Sequence, residues 1–160
     1  NAMDTGHQGC MGTIHAINAR EAVVKLQEKP LSVPESMIPL LDLIVVMQRR
    51  YSKERGMQRR ITQIVELSRM DDKVLFGSLF EFDEKSDSLK RTGISGTLLE
   101  EIAKNNSISK AVVMNEIIIR KKILEWMISQ DIRKPLEVLE VIDTYYYNPE
   151  KVLKTITETN

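Results

Sequence analysis

The 160-residue chain is 42% apolar and 29% charged, enough to bury a core while staying soluble, and its length suits one domain or a compact piece of a larger one. Its 23 basic and 23 acidic side chains cancel, which argues against a broad electrostatic surface for nucleic acid while leaving room for a local one. The single cysteine, Cys10, excludes an intrachain disulfide, no secretory signal is visible, and no apolar run approaches the roughly eighteen residues that a membrane helix needs.

Asn1 and Ala2 ahead of Met3 have the look of a tag remnant and a start methionine, so residues 1–3 carry no functional argument. Two regions follow, 4–93 with β-like texture and 94–160 with helical periodicity. Gly9 to Ala16 predicts a short buried strand with glycine-rich edges. Asn18 offers a helix N-cap, and Glu21 three places on completes a capping box, with Ala22, Val23 and Leu26 as the buried stripe. Ser32 with Glu35 forms a second such box, and Pro39 should end or kink the helix that starts there. Leu41 to Met47 predicts an apolar strand.

The next stretch alternates, placing Ile61, Gln63, Val65 and Leu67 on one face and Thr62, Ile64 and Glu66 on the other. Val74, Phe76, Ser78, Phe80 and Phe82 predict one face of a following strand. Asp83 to Ser88 is polar turn material, and Leu89 to Thr92 should pair back. From Thr97 the period turns helical. Leu98, Leu99 and Ile102 mark a short helix. Ser109 can cap a long one, with Val113, Ile117, Leu124 and Ile128 at helical spacings. Pro135 suits a first helical position, with Leu136, Leu139, Ile142 and Tyr146 expected inward. Asn148-Pro149 starts a last helix that packs through Val152, Leu153 and Ile156.

Both histidines fall in one run, Asp4 to Ala16, with glycines between them. Glycine-flanked histidines often occupy turns because they tolerate unusual backbone angles. A structural zinc site fails on ligand count, since one cysteine and two histidines do not make four ligands. Cys10 inside a buried strand is a poor nucleophile. Phosphate contact is chemically better: an imidazole donates a hydrogen bond to a phosphate oxygen, and a hydroxyl such as that of Thr13 can assist.

The run TGHQGCMGTIHA followed by INAREAVVKL resembles the His box of the secretion ATPase superfamily, which includes type II and type IV secretion ATPases, pilus motors and archaeal flagellum motors. The resemblance continues through KPLSVPESMIPLLDLIVVMQRR, ITQIVEL and LFEFD to VIDTYYYNPEKVL, and is closest to the archaeal branch. It implies an α/β fold: the C-terminal part of a RecA-like P-loop ATPase domain, antiparallel β-hairpins and a C-terminal helical bundle. It also implies ATP and Mg2+ in the full-length protein, a homo-hexamer, a membrane platform protein as partner, and a cytoplasmic location against the inner face of the membrane. On that resemblance Thr5, Gly6, His7, Thr13 and His15 match the His-box positions and lie near the terminal phosphate. Met11-Gly12 stands where small hydroxyl residues are commoner.

No G-x-x-x-x-G-K-[ST] run occurs in the chain, so no lysine or glycine-rich loop is assigned to the phosphates and no catalytic residue is named. The chain alone is expected to be inactive. With a strand neighbour missing, Gly9 to Ala16 would leave an open edge through which two copies could pair.

Two other signals compete. Arg49, Arg50, Lys53, Arg55, Arg59 and Arg60, opposed locally only by Glu54, form a basic cluster around a predicted hairpin tip; it is either a solvated turn or a contact for anionic lipid, a platform protein or a neighbouring subunit. The stretch from Leu99 to Ile117 resembles a helix-turn-helix, with Ser107 at the turn. That makes a non-enzymatic DNA-binding or assembly module the alternative, but Lys110, Ala111, Met114 and Asn115 offer few groups to base edges, and Glu100, Glu101 and Glu116 would repel phosphates. No nucleic acid is expected as a partner.

Overall fold

A computed structural model describes residues 9–71 and 73–159, so Thr5, Gly6 and His7 lie outside the described residues. The chain divides into two compact units, the first running to Leu98 and the second from Leu99. The architecture is mixed α/β, with one antiparallel sheet and five α-helices among the described residues.

In the first unit, β1 (Leu43–Ser52), β2 (Gly56–Met70), β3 (Lys73–Asp83) and β4 (Ser88–Arg91) pair in sequence order. All pairings among the described residues are antiparallel, which short turns between consecutive strands permit. Gly56, with φ of 67°, supplies the left-handed conformation needed where β1 turns into β2.

Two bulges decide which side chains share a face. Val46 pairs with Gln63 but Met47 with Ile61, so Thr62 is an extra residue in β2. Ile61 therefore leaves the face of Gln63, Val65 and Leu67 on which simple alternation placed it, and it is exposed. Likewise Ile64 pairs with Phe80 and Val65 with Ser78, which makes Leu79 the extra residue in β3. Ser78 then falls on the Val65 side and Phe80 on the Ile64 side. The single face expected for Val74 through Phe82 is thus broken in the middle.

No strand occupies Gly9 to Ala16. That segment is irregular and mostly exposed, with no ladder partner, so the strand edge expected there does not exist. A strand is defined by the backbone groups it pairs with, and apolar composition alone cannot supply them.

The core of this unit gathers Ala19 and Val23 of α1 (Ala19–Gln27), Ile38, and Val46, Val65 and Leu67 of the sheet. The Asn18 carboxamide oxygen accepts from the Glu21 amide at 2.8 Å, and the Glu21 carboxylate accepts from the Ile17 amide at 2.6 Å, so the cap closes reciprocally as expected. The second box does not form. Ser32 has φ of 47°, Pro34 is the residue before the helix, and Glu35–Leu40 winds as a 3-10 helix containing Pro39. A six-residue segment that lacks one backbone donor has little use for an α-helical ladder, and short 3-10 turns are the usual outcome. It still carries Ile38, which is fully buried.

β2 is covered on both sides along Val65, Glu66 and Leu67, which are all buried. Glu66, only 6% exposed, accepts from the Thr97 amide at 2.6 Å, the Thr97 hydroxyl at 2.9 Å and the Leu98 amide at 3.2 Å. A carboxylate can be buried when donors surround it. Alternation had marked Glu66 only as the polar side of a strand.

The second unit holds most of α2 (Leu98–Asn105), then α3 (Lys110–Ser129), α4 (Pro135–Tyr147) and α5 (Pro149–Thr159). Ser109 caps α3 by accepting from the Val112 amide at 3.3 Å, and Pro135 opens α4. The core is Ile123, Met127, Tyr145 and Val152, with Val138, Val141 and Ile156 packed on it. Val113 and Val152 are buried as expected, but Ile117, Leu124 and Ile128 are exposed. On α4 the expected inward set of Leu136, Leu139, Ile142 and Tyr146 is exposed too. Both helices carry apolar residues on more than one row, so periodicity fits two stripes and cannot choose between them.

Across this core the Tyr145 hydroxyl is 2.9 Å from each oxygen of Glu116, and Arg120 Nε donates to the same carboxylate at 2.8 Å. Arg120, more than the Tyr145 hydroxyl, holds the Glu116 carboxyl below its ordinary value, against the effect of burial. A depressed folded-state value stabilises the fold at higher pH and is lost as pH falls through that value. Thermal melts should therefore decline below about pH 4.5, and Glu116→Gln should flatten that part of the profile.

Candidate functional site

The histidine segment enters the described structure at Gly9 and meets α1 at its cap. Lys25 donates to the His15 carbonyl at 2.8 Å and pairs with Glu21 at 2.7 Å. Gln48 of β1 donates to the Ile17 carbonyl at 3.0 Å. The Lys25 hydrogen bond, then the Ile17 amide, lower the Glu21 carboxyl from its ordinary value. The backbone on either side of Ala16 is thus tied to a helix and a strand. The His15 and Thr13 side chains are exposed. An anchored main chain with a free imidazole suits contact with a ligand brought from outside the described residues. It does not make a closed site, and the predicted buried strand under these residues is absent.

The basic hairpin is only partly free. Arg50 pairs with Glu84, Arg55 pairs with Asp87, and Arg60 takes Asp87 through two contacts of 2.9 and 2.8 Å. Arg50 also stacks over the Phe82 ring, 5.2 Å from its centroid. The Arg60 guanidinium lowers the Asp87 carboxyl from its ordinary value, and Asp87 in turn raises Arg60. Together these side chains line a small polar cavity of about 260 Å3. Along the chain, Glu54 is the only opposing charge within this cluster. The neutralising acids come from the β3–β4 turn, more than twenty residues away in sequence. Arg49, Lys53 and Arg59 form no ion pair among the described residues. Arg49 and Arg59 stand directly opposite one another across β1 and β2.

In the helix-turn-helix-like stretch, Ser107 adopts φ of 54° and the Ile108 amide bonds the Ala103 carbonyl at 2.9 Å, a left-handed helix stop. Lys110, the first residue of the second helix, pairs with Glu100 at 2.7 Å. Its charge is directed at a neighbouring helix.

No family model matches the chain. Two curated proteins of Methanocaldococcus jannaschii do resemble it. The uncharacterized protein MJ0781 is 33% identical over 150 residues, which is 92% of this chain and 20% of that protein. The uncharacterized protein MJ0900 is 28% identical over 151 residues, covering 91% of this chain and 27% of that protein. The chain therefore spans well under a third of either relative. Among the described residues no helix is long and apolar enough to cross a membrane.

Proposed function

We propose that this chain is the C-terminal portion of a secretion-type motor ATPase that powers assembly of a pilus, flagellum or secretion system. The observation that carries this reading is the histidine run itself, TGHQGCMGTIHA leading straight into the capped helix α1. Its support is threefold. The resemblance extends along nearly the whole chain. The two archaeal relatives are several times longer, as a motor with an upstream catalytic half would be. The His15 side chain is exposed on an anchored backbone, where a phosphate could reach it.

In this reading the donors of Thr13 and His15, with Thr5, Gly6 and His7, face the terminal phosphate of ATP. The imidazole, hydroxyl and backbone N–H donors among these groups suit a phosphate oxygen. Metal binding and hydrolysis belong to upstream residues of the longer protein. RecA-like motor architecture, the hexamer, the platform partner and the cytoplasmic membrane face are parts of the same proposal.

Turnover measured on the full-length protein tests it. His15→Ala and His7→Ala should each lower ATPase activity about tenfold to a hundredfold while the assembly stays intact, and the chain studied alone should show none. Turnover like that of the unaltered protein in both variants would remove the role assigned to these imidazoles.

A further inference from the structure

Two exposed faces, one in each unit, carry opposite charge among apolar side chains. On the first, Met47, Arg49, Tyr51, Met57, Arg59 and Ile61 project from one side of the β1–β2 hairpin, as their direct pairings require. The apolar members are unusually open, with Met47 62%, Tyr51 71% and Met57 55% exposed. At the centre of that side, Arg49 faces Arg59 with no carboxylate paired to either among the described residues. Like charges directly opposite in a sheet are unfavourable unless something anionic covers them.

The second face lies on α4. Leu136, Leu139, Glu140, Asp143 and Tyr147 fall at helical spacing on one stripe and, with Lys151, line an open groove of about 540 Å3. Leu136 is 80% and Tyr147 90% exposed. Glu140 and Asp143 form no ion pair among the described residues, and Lys151 is the single cation lining the groove. Apolar patches of this kind on a charged surface mark interaction sites.

We infer that these faces dock on each other between copies, the hairpin of one chain against the α4 groove of a second copy. Charge decides the geometry. A symmetric contact of hairpin on hairpin would bring four arginines together, and one of groove on groove would bring four carboxylates together. Only the head-to-tail arrangement sets Arg49 and Arg59 against Glu140 and Asp143. Such a contact repeats: it closes a ring if the rotation between copies closes, and otherwise runs into a filament. The inference goes beyond the motor reading and does not depend on nucleotide chemistry, so either can fail alone.

Sedimentation velocity over a concentration series tests it on the chain as it stands. The unaltered chain should associate with rising concentration, and less so with added salt. Arg49→Glu with Arg59→Glu, or Glu140→Lys with Asp143→Lys, should each weaken association at least tenfold. An equimolar mixture of the two variants should regain association, because each hairpin then meets a groove of opposite charge on the other variant. All four changes together should restore association. Circular dichroism confirms that each variant is folded, and the salt series on the unaltered chain stands if one is not. A monomer up to about 1 mM, or association indifferent to salt and to both reversals (as edge pairing through β1 would be), overturns the inference.

Discussion

Gly96→Ala should destabilise the first unit by about 2–4 kcal/mol, a large loss for a substitution that adds a single methyl group. A Cβ at that position would lie 1.9 Å from one Glu66 carboxylate oxygen and 3.1 Å from Leu79 Cδ2. Glu66 could swing aside only by giving up the Thr97 and Leu98 donors that make its burial tolerable. The cost should therefore be shared with Glu66. In a Glu66→Ala background the same Gly96 substitution should cost well under 1 kcal/mol, a coupling that a double-mutant cycle in urea reads directly. Equal costs in both backgrounds would show that the glycine matters for another reason.

Ile38→Ala should cost about 2–5 kcal/mol, since it empties a fully buried position. Ile38 sits among Ala19, Val23, Val46, Val65 and Leu67, so its loss leaves a cavity lined by a helix and two strands. The 3-10 segment that carries it has Pro34 as its cap residue and no side-chain cap hydrogen bond, so packing more than local hydrogen bonding holds it in place. Ile38→Val, which keeps most of the volume, should cost only about 0.5–1.5 kcal/mol. Thermal or urea unfolding of both variants checks the ranking.

Local chemistry made parts of this fold legible in the sequence. Asn18 with Glu21, Ser109 and Pro135 each need only their own neighbours to act, and each forms the helix start expected of it. Features set by distant partners were not legible. The bulges at Thr62 and Leu79 show only in cross-strand register, so counting by twos misplaced Ile61 and Phe80. Glu66 looked like the polar side of a strand until Thr97 came across to meet it. Arg50, Arg55 and Arg60 looked free because Glu84 and Asp87 are remote in sequence. The helices α3 and α4 are apolar on more than one side, and the side left open is the one periodicity chose as core. At the histidine segment the residue types pointed to phosphate chemistry, but the strand beneath them needed a partner that Gly9 to Ala16 does not find here.

The role given to the histidines is tested most directly by a structure of the full-length protein with a non-hydrolysable ATP analogue. The account predicts imidazole nitrogens of His7 and His15 about 3 Å from oxygens of the terminal phosphate. Rings turned away from the nucleotide, with no protein or water bridge to that phosphate, would contradict it.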